Sequence, residues 1–309
     1  MSSIYSNAHE SAKGFAVNAK GVILRQTLLT FIFLSFSWLA SADDVVIPLK
    51  TMNAMYGGGT FSVPCSGPDM SGTCQIDTGL NVSYFSANAF TVLPASIGKA
   101  TYTSVTGSVV KCDYAALPSI QLNGAVDLGP LEPVICSAEE NKSQTNLLGL
   151  DAFAERSFIL NAKKYELVLL EKNPVLPNSF EIDNVGHILM KVQSGFKKPL
   201  EALAMFDTGA AVSTVDIELV KAQPENFTIV ETNAIGTDAH GNPINSYLVI
   251  GSVRVGQILI VAEYFIAMDF SPFQKVSGSP IQLILGYNAI DHFEWTINMK
   301  DKTWSNSDQ

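Results

Sequence analysis

An internal duplication constrains this chain more than any other feature of its sequence. The segments CQIDTGLNVSYFSANAFTVLP (residues 74–94) and AMFDTGAAVSTVDIELVKAQP (residues 204–224) have the same order of residue types. Each contains an apolar residue, then Asp-Thr-Gly, a Val-Ser pair, an amphipathic stretch and a proline. A repeat of this kind indicates one structural unit that occurs twice. We therefore expect two halves with similar folds.

A second pair of segments repeats in the same order. NLLGLDAFAERSFILNAKKYEL (residues 146–167) and LILGYNAIDHFEWTINMKDKTW (residues 283–304) both contain apolar residues, a glycine, an Asp or Asn two positions later, and an alanine. A strand-like stretch and a turn with lysine follow in both. Asp151 matches Asn288 in this alignment, which predicts a structural hydrogen-bonding role for both side chains.

The segments between these landmarks have the patterns of β-strands. PINSYLVIGSVRVGQILIVAEYFIAM (residues 243–268), for example, is rich in apolar and β-branched residues and is interrupted by glycine. Short helices are expected after each Asp-Thr-Gly and after each later glycine. EKNPVLPNS (residues 171–179) has two prolines and no periodicity, so it predicts the boundary between the halves. The predicted organisation is an N-terminal lobe at 43–172, a linker at 173–178 and a C-terminal lobe at 179–309.

Composition and charge narrow the class of protein. The 309 residues are 47% hydrophobic and 16% charged, which supplies a sizeable core and argues against disorder. The formal net charge is −10, and the sequence contains no run of lysine or arginine. Nucleic acid and anionic membrane surfaces attract basic patches, so neither is an expected partner.

The N-terminus has the features of a secretory signal peptide at residues 1–42. Lys20 and Arg25 precede the apolar run TLLTFIFLSFSWL (residues 27–39), and the small residues ASA (residues 40–42) follow it. The run is shorter than the roughly 20 residues that a membrane span needs. Cleavage after Ala42 would leave no stable membrane insertion, and the alternative is an uncleaved anchor. The predicted location is secreted or periplasmic, with bacterial and eukaryotic export both open.

Four cysteines, all in the first half, agree with export. An even number of cysteines in an exported chain predicts two disulfides. Three pairings are possible, and we favour Cys65–Cys74 with Cys112–Cys136 because each pair brackets a plausible strand–turn–strand. A zinc site is disfavoured because no Cys-x-x-Cys or His-x-x-x-His pattern accompanies the cysteines. We therefore predict no metal.

The two Asp-Thr-Gly motifs and the later apolar-apolar-Gly motifs resemble those of retropepsin-like and pepsin-like aspartic peptidases. The resemblance is to the single-chain form with two duplicated lobes, and it covers approximately Val45 to Trp304. It implies an all-β, two-lobed acid-protease fold. Each lobe would be a closed β-barrel unit with short helices, and the lobes would be related by a pseudo-two-fold axis.

The resemblance also implies roles for named residues. Asp77 and Asp207 would be the catalytic pair. Gly79 and Gly209 would let each loop turn tightly, and the hydroxyls of Thr78 and Thr208 would hydrogen-bond across to the opposite loop. Four residues would pack beneath the loops as an apolar floor: Leu147, Leu148, Ile284 and Leu285.

Two neighbouring carboxyl groups supply the chemistry that peptide hydrolysis requires. Two like charges a few ångströms apart cannot both ionise cheaply, so the pair shares one proton. The ionised group takes a proton from a water, and the protonated group donates to the carbonyl oxygen. The expected function is an exported aspartic endopeptidase without a cofactor. Its partner would be an extended peptide or unfolded protein, and it would act as a monomer.

Mobile hairpins that cover the substrate are expected in both halves. In TYTSVTGS (residues 101–108) the candidates are Tyr102 and Gly107, and an ordinary exposed turn is the alternative. In DAHGNPINSY (residues 238–247) they are His240 and Gly241. We expect His240 to be a solvent-facing turn residue and not a catalytic one.

One residue departs from the resemblance. The residue after Asp-Thr-Gly is often small or hydroxylated in the family, and it is Ala210 in the second half but Leu80 in the first. Leucine removes a possible hydroxyl donor to the carboxylate, which would shift the pH range of the pair or weaken activity. The alternative function is therefore a non-catalytic peptide- or protein-binding protein that retains the peptidase scaffold.

Overall fold

The computed structural model describes residues 44–103, 109–137, 139–140, 144–153, 156–237 and 243–307. The predicted signal peptide therefore lies outside the described residues. Most of the described chain is β-strand, as the sequence predicts, and the helices are short. In the part of the chain that the structure describes, no helix has the length and apolar character needed to cross a membrane.

Thirteen strands come from the first half of the chain. They are β1 (Val45–Pro48), β2 (Lys50–Asn53), β3 (Gly59–Gly67), β4 (Met70–Ile76), β5 (Tyr84–Ser86), β6 (Ser96–Thr103), β7 (Val109–Ala115), β8 (Gln121–Leu122), β9 (Val126–Asp127), β10 (Val134–Cys136), β11 (Asn146–Leu148), β12 (Ser157–Asn161) and β13 (Glu166–Leu170). Two 3₁₀ helices lie at Ala87–Ala89 and Leu150–Phe153.

The second half contributes eleven strands and three short α-helices. The strands are β14 (Asn178–Ser179), β15 (Glu181–Ile182), β16 (Ile188–Ser194), β17 (Leu200–Phe206), β18 (Thr214–Asp216), β19 (Thr228–Thr237), β20 (Pro243–Val255), β21 (Ile258–Met268), β22 (Leu283–Leu285), β23 (Glu294–Asn298) and β24 (Thr303–Ser307). The helices are α1 (Ile217–Ala222), α2 (Ser271–Ser277) and α3 (Tyr287–Ile290).

These strands form three sheets. A ten-stranded sheet from the first half has the order β6-β7-β10-β5-β11-β4-β3-β8-β9, with β2 paired to β3. An eight-stranded sheet from the second half has the order β15-β16-β17-β22-β18-β21-β20-β19. An additional pairing of β16 with β20 closes six of its strands into a ring. Of the two predicted barrels, the described strands therefore close the one in the second half.

The two large sheets share a local pattern of strand pairing. In the first, β11 is parallel to β4 and antiparallel to β5. In the second, β22 is parallel to β17 and antiparallel to β18. The strands in these positions carry the matching sequence motifs, so the duplication in the sequence is also a duplication of local topology.

A third sheet combines strands from both halves. Its order is β1-β13-β12-β23-β24-β14, and β12 pairs with β23 over four residues on each strand. In β13 the buried residues Leu167 and Leu169 alternate with more exposed positions, which is the period of two expected for a strand with one face on the core. Trp295 and Trp304 are almost fully buried on this sheet, so the two halves share a core beneath it.

Aromatic contacts and disulfides complete the packing. The ring of Phe61 in β3 lies 4.7 Å from that of Tyr287 in α3, and one large apolar cluster includes residues of both halves. Two disulfides, Cys65–Cys74 and Cys112–Cys136, have the favoured pairing. The first crosses the β3–β4 hairpin, and the second connects the paired strands β7 and β10.

Candidate functional site

Asp77 and Asp207 each follow a buried strand, β4 and β17 respectively. The amide of Asp77 donates to the carbonyl of Leu148 at 2.9 Å, and that of Asp207 donates to the carbonyl of Leu285 at 3.0 Å. Leu147 and Ile284 are buried beside them, so all four expected floor residues lie in the strands that support the loops. Each aspartate therefore has the same backbone anchor.

Two threonines join the loops that carry the aspartates. The hydroxyl of Thr78 donates to the carbonyl of Phe206 at 2.9 Å and accepts from the amide of Thr208 at 3.0 Å. The hydroxyl of Thr208 donates to the carbonyl of Ile76 at 2.9 Å and accepts from the amide of Thr78 at 3.0 Å. Both threonines are buried, so these four crossed hydrogen bonds hold the two loops in one relative position.

The glycines bring the carboxyl groups close to the opposite loop. A methyl group built on Gly79 would lie 2.5 Å from the carboxyl carbon of Asp207, and one on Gly209 would overlap the carboxyl group of Asp77. The amides of Gly79 and Gly209 also donate to the carboxylates of their own loops, at 3.0 and 2.8 Å. Glycine is required at both positions because any side chain would displace a carboxyl group.

The two carboxyl groups influence one another's protonation. Burial, and next the neighbouring charge of Asp207, raise the pKa of Asp77 well above its ordinary value. Burial also raises the pKa of Asp207, but the amides of Gly209 and Ala210 and the charge of His187 act against that rise. A hydrogen bond between the two carboxyl groups couples them, so the pair shares a proton and titrates as a unit.

The two loops also differ in the hydrogen bond made by the amide of the residue that follows Asp-Thr-Gly. The amide of Ala210 donates to the carboxylate of Asp207 at 3.2 Å. The amide of Leu80 donates instead to the backbone carbonyl of Asp77, also at 3.2 Å. Its side chain packs with Val82 and Tyr114 against a buried apolar cluster. Asp207 thus has one more amide donor that favours its ionised form.

Asp151 and Asn288 accept hydrogen bonds from the serines of the two Val-Ser pairs. The amide and hydroxyl of Ser83 donate to one carboxylate oxygen of Asp151, at 2.8 and 2.6 Å. The amide and hydroxyl of Ser213 donate to the side-chain oxygen of Asn288, at 2.7 and 2.8 Å. Asp151 and Asn288 therefore make the structural hydrogen bonds that their alignment predicts.

No role is predicted from the sequence for Ser83, Ser213, Gln75 or His187. The serines belong to the Val-Ser pair that both repeats contain, so the repeat itself carried a signal for them. The hydroxyls of Ser83 and Ser213 also accept from the amides of Gly149 and Gly286, at 3.1 and 3.0 Å. Gln75 donates to the carbonyl of Gly209 at 3.2 Å. His187 belongs to no motif or repeat that the sequence shows.

The flap candidates are largely outside the described residues. Gly107, His240 and Gly241 all fall there, and the side chain of Tyr102 does too. The backbone of Tyr102 belongs to β6, which forms a hairpin with β7. In the second half, β19 and β20 form a hairpin around residues 238–242. The proposed roles of these four residues stay predictions.

Over the described ranges, no group of three or more His, Cys, Asp or Glu side chains is arranged to hold a metal ion. The chain matches no protein-family model and no curated protein. Any functional conclusion therefore depends on the residues and the geometry of the site.

Proposed function

We propose that this protein is an exported aspartic endopeptidase that hydrolyses peptide bonds with a water activated between Asp77 and Asp207. One observation carries the proposal: crossed threonine hydrogen bonds bring together two carboxyl groups from equivalent places in a duplicated chain. The first half and the second half would be the two lobes of an acid-protease fold. The six-stranded sheet would join them.

In the proposed reaction Asp207 starts ionised and Asp77 protonated, because the carboxylate of Asp207 accepts from two amides of its own loop and that of Asp77 from one. The ionised carboxylate of Asp207 takes a proton from water, and the water oxygen bonds to the carbonyl carbon of the peptide. Asp77 gives its proton to the carbonyl oxygen, so a neutral diol forms. Asp207 then returns its proton to the peptide nitrogen, the C–N bond breaks, and Asp77 recovers a proton from one diol hydroxyl. Acid and amine leave, and the pair regains its starting state.

The steps of this reaction use only two carboxyl groups and water, so the mechanism needs no cofactor. An extended peptide suits the site because strand-like main-chain hydrogen bonds position a scissile bond without regard to sequence. The hairpins β6–β7 and β19–β20 are the flap candidates. Two disulfides fit an oxidising compartment, which supports secretion or a periplasmic location. Because one chain supplies both aspartates, a monomer is sufficient.

The competing function is binding of peptides without cleavage. It is favoured by Leu80, whose amide leaves the carboxylate of Asp77 with one donor fewer than Asp207 has. Cleavage itself decides between the two functions, because a binding protein would retain peptide affinity without turnover.

The decisive experiment is digestion of an unfolded protein across acid and neutral pH by the purified mature chain. We expect cleavage that pepstatin inhibits and that Asp77→Asn and Asp207→Asn each reduce by at least about 10³-fold, since neither variant can share the proton. Asp69→Asn is the matched control, because Asp69 lies in an exposed turn of the β3–β4 hairpin with a positive φ that asparagine tolerates. Peptide binding without cleavage by the unmodified protein would establish the competing function.

A further inference from the structure

Glu263 in β21 is a largely buried carboxylate beside α3, with a side chain that is 12% exposed. One of its oxygens accepts from the side-chain amide of Asn288 at 2.7 Å and from the backbone amide of Tyr264 at 3.1 Å. Its other oxygen lies 3.0 Å from Nε2 of His292, whose side chain is partly exposed. This hydrogen bond raises the pKa of His292, as expected for an imidazole beside a carboxylate. Glu263 therefore connects a surface histidine with a buried amide.

Asn288 connects this carboxylate with the loop that carries Asp207. Its side-chain oxygen accepts from the amide and hydroxyl of Ser213, and its nitrogen donates to Glu263 and to the carbonyl of Tyr264, at 2.7 and 2.9 Å. Because Asn288 is buried, both ends of its amide depend on these partners. An aspartate could also accept from Ser213, but it would turn an oxygen towards the carboxylate of Glu263. Glu263 is therefore the reason that this position needs asparagine.

The backbone around Gly286 transmits the position of Asn288 to the aspartate loop. The amide of Asp207 donates to the carbonyl of the residue before Gly286, at 3.0 Å. The amide of the residue after Gly286 donates to the carbonyl of Ala210, at 2.8 Å. A methyl group built on Gly286 would lie 2.7 Å from that carbonyl oxygen and 2.8 Å from the amide nitrogen of Ser213. The loop and the first turn of α3 are thus in direct contact, so a displacement of Asn288 also displaces the loop.

The first half has an apolar residue at the position equivalent to Glu263. The amides of Val134 and Ile266 donate to the carbonyls of the two serines in the Val-Ser pairs, at 2.8 and 2.9 Å, so these two residues are equivalent. Three residues earlier, the first half has Leu131 and the second half has Glu263. Leu131 is buried in the large apolar cluster. The first copy of the duplicated unit thus lacks this carboxylate.

Each half nevertheless has one carboxyl group in the support of its aspartate loop. The first half combines Asp151 with Leu131, and the second half combines Asn288 with Glu263. Leucine beside Asn288 would leave the side-chain amide with one acceptor fewer, and aspartate beside Glu263 would bring two carboxylates together. The two residues of each combination therefore depend on one another.

We propose that Glu263 is a positioning residue that fixes the loop of Asp207 through the side-chain amide of Asn288. His292 orients the carboxylate of Glu263 from the surface. The loop supplies both amides that donate to the carboxylate of Asp207, so the position of the loop sets the direction of that carboxyl group. A reacting group that is misplaced by about an ångström loses about 10²-fold in rate. The catalytic meaning of this inference rests on the proposed function.

Urea unfolding of two single variants and their double variant tests the contact between Glu263 and Asn288 without any assay of activity. At pH 7 we expect Asn288→Asp to raise the unfolding equilibrium constant about 10²-fold, because two carboxylates meet, and Glu263→Leu to raise it about 10-fold. The double variant recreates the combination of the first half, so its increase should be about 10-fold and not the product of about 10³-fold. A product of the two single effects would overturn the proposal. If Asn288→Asp does not fold, a folded double variant supports the proposal and an unfolded one overturns it.

Steady-state cleavage by the folded variants tests the positioning of Asp207. Glu263→Leu should lower kcat about 10-fold and leave KM unchanged, because the loop shifts and the contacts with bound substrate do not. Glu263→Gln is the matched control, since it keeps an oxygen for Asn288 and should lose less than about 3-fold in kcat. The double variant should recover most of the kcat that Asn288→Asp loses. An unchanged kcat in Glu263→Leu, measured where the protein is fully folded, would contradict the positioning role.

The unfolding and cleavage measurements separate this inference from the proposed function. If the unmodified protein cleaves nothing, the proposed function is wrong, and the unfolding measurements still decide whether Glu263 and Asn288 depend on each other. If cleavage occurs and the two unfolding effects multiply, the proposed function stands and the positioning role of Glu263 is wrong.

Discussion

Two aspartates in equivalent places along this chain have different surroundings at the scale of single residues. Asp207 accepts from the amides of Gly209 and Ala210, whereas Asp77 accepts from one amide of its own loop, that of Gly79. The difference lies at the residue after Asp-Thr-Gly, which is Leu80 in the first half and Ala210 in the second. A symmetric motif therefore has asymmetric surroundings.

The matched pair Asp151 and Asn288 leads to a prediction on stability. Burial raises the pKa of Asp151, although four hydrogen bonds, to Ser83, Ala152 and its own amide, oppose the rise. The raised pKa means that the native state binds the proton more tightly than the unfolded state. The resulting stabilisation is complete below the ordinary aspartate pKa of about 4 and is lost as pH rises above it. Asn288, which occupies the equivalent position in the second half, does not ionise, so its contribution to stability does not fall as pH rises.

We therefore expect Asp151→Asn to unfold like the unmodified protein near pH 4 and to be the more stable of the two at pH 7. Asp151→Ala removes the oxygen that accepts from Ser83, and it should cost roughly 1 to 3 kcal/mol at both pH values. Urea unfolding followed by fluorescence measures all three proteins. A variant Asp151→Asn that is less stable than the unmodified protein at pH 7 would show that the ionised carboxylate is needed.

At the scale of elements, the site consists of two loops that stabilise each other. Each loop follows a strand, and the neighbouring strand, β11 or β22, accepts a hydrogen bond from the amide of the aspartate. The threonine hydroxyl of each loop donates to a backbone carbonyl just before the aspartate of the other loop. Both threonines are buried, so a hydroxyl or amide that lost its hydrogen bond between the loops could not bond to water instead. Each loop therefore depends on the other for these hydrogen bonds.

Substitution of Thr208 tests the hydrogen bonds that join the two loops. Thr208→Val leaves the carbonyl of Ile76 and the amide of Thr78 without their partner, and should cost roughly 2 to 4 kcal/mol of unfolding free energy. It should also reduce cleavage by about 10²-fold, because misplacement of a reacting group by an ångström has that effect. Thr208→Ser keeps the hydroxyl and is the control, with a loss of about 1 kcal/mol. Equal stability of the two variants would mean that the hydroxyl is not what holds the loops.

At the scale of the whole molecule, the two halves depend on each other. Strands β12 and β13 of the first half share a sheet with β23 and β24 of the second, and Phe61 packs against Tyr287 between the halves. The segment between β13 and β14 is held at its start, where Ser157 donates to Asn173 and the buried Asn298 donates to the carbonyl of Pro174, but the next residue, Val175, is completely exposed. The covalent linker thus contributes little to the association of the halves.

A cut in the linker tests this dependence. A protease recognition sequence inserted after the exposed Val175 should allow complete cleavage while the two pieces still elute together in buffer. They should separate in denaturant, and the cut protein should keep most of its activity. The uncut protein with the same insertion is the control. Separate elution in buffer at micromolar concentration would show that the shared sheet does not hold the halves together.

The sequence by itself determined the duplication, the β-rich character, the two aspartates and the preferred cysteine pairing. These follow from local patterns, because strand periodicity and an exact motif can be read wherever they occur. Asp151 and Asn288 were also predictable, since the repeat aligns them. The sequence indicated two barrels, whereas closure of a ring depends on which distant strands pair, as β16 and β20 do.

Only the tertiary structure decided what surrounds the two carboxyl groups and in which direction their pKa values shift. Burial and the approach of one carboxyl group to the other depend on residues that are far apart in the chain, such as Asp77 and Asp207. A pKa is set by the electrostatic free energy of a group in its folded surroundings, and no local pattern contains that information. The motif therefore specified the carboxyl groups, and the packing of the two halves specified their chemistry.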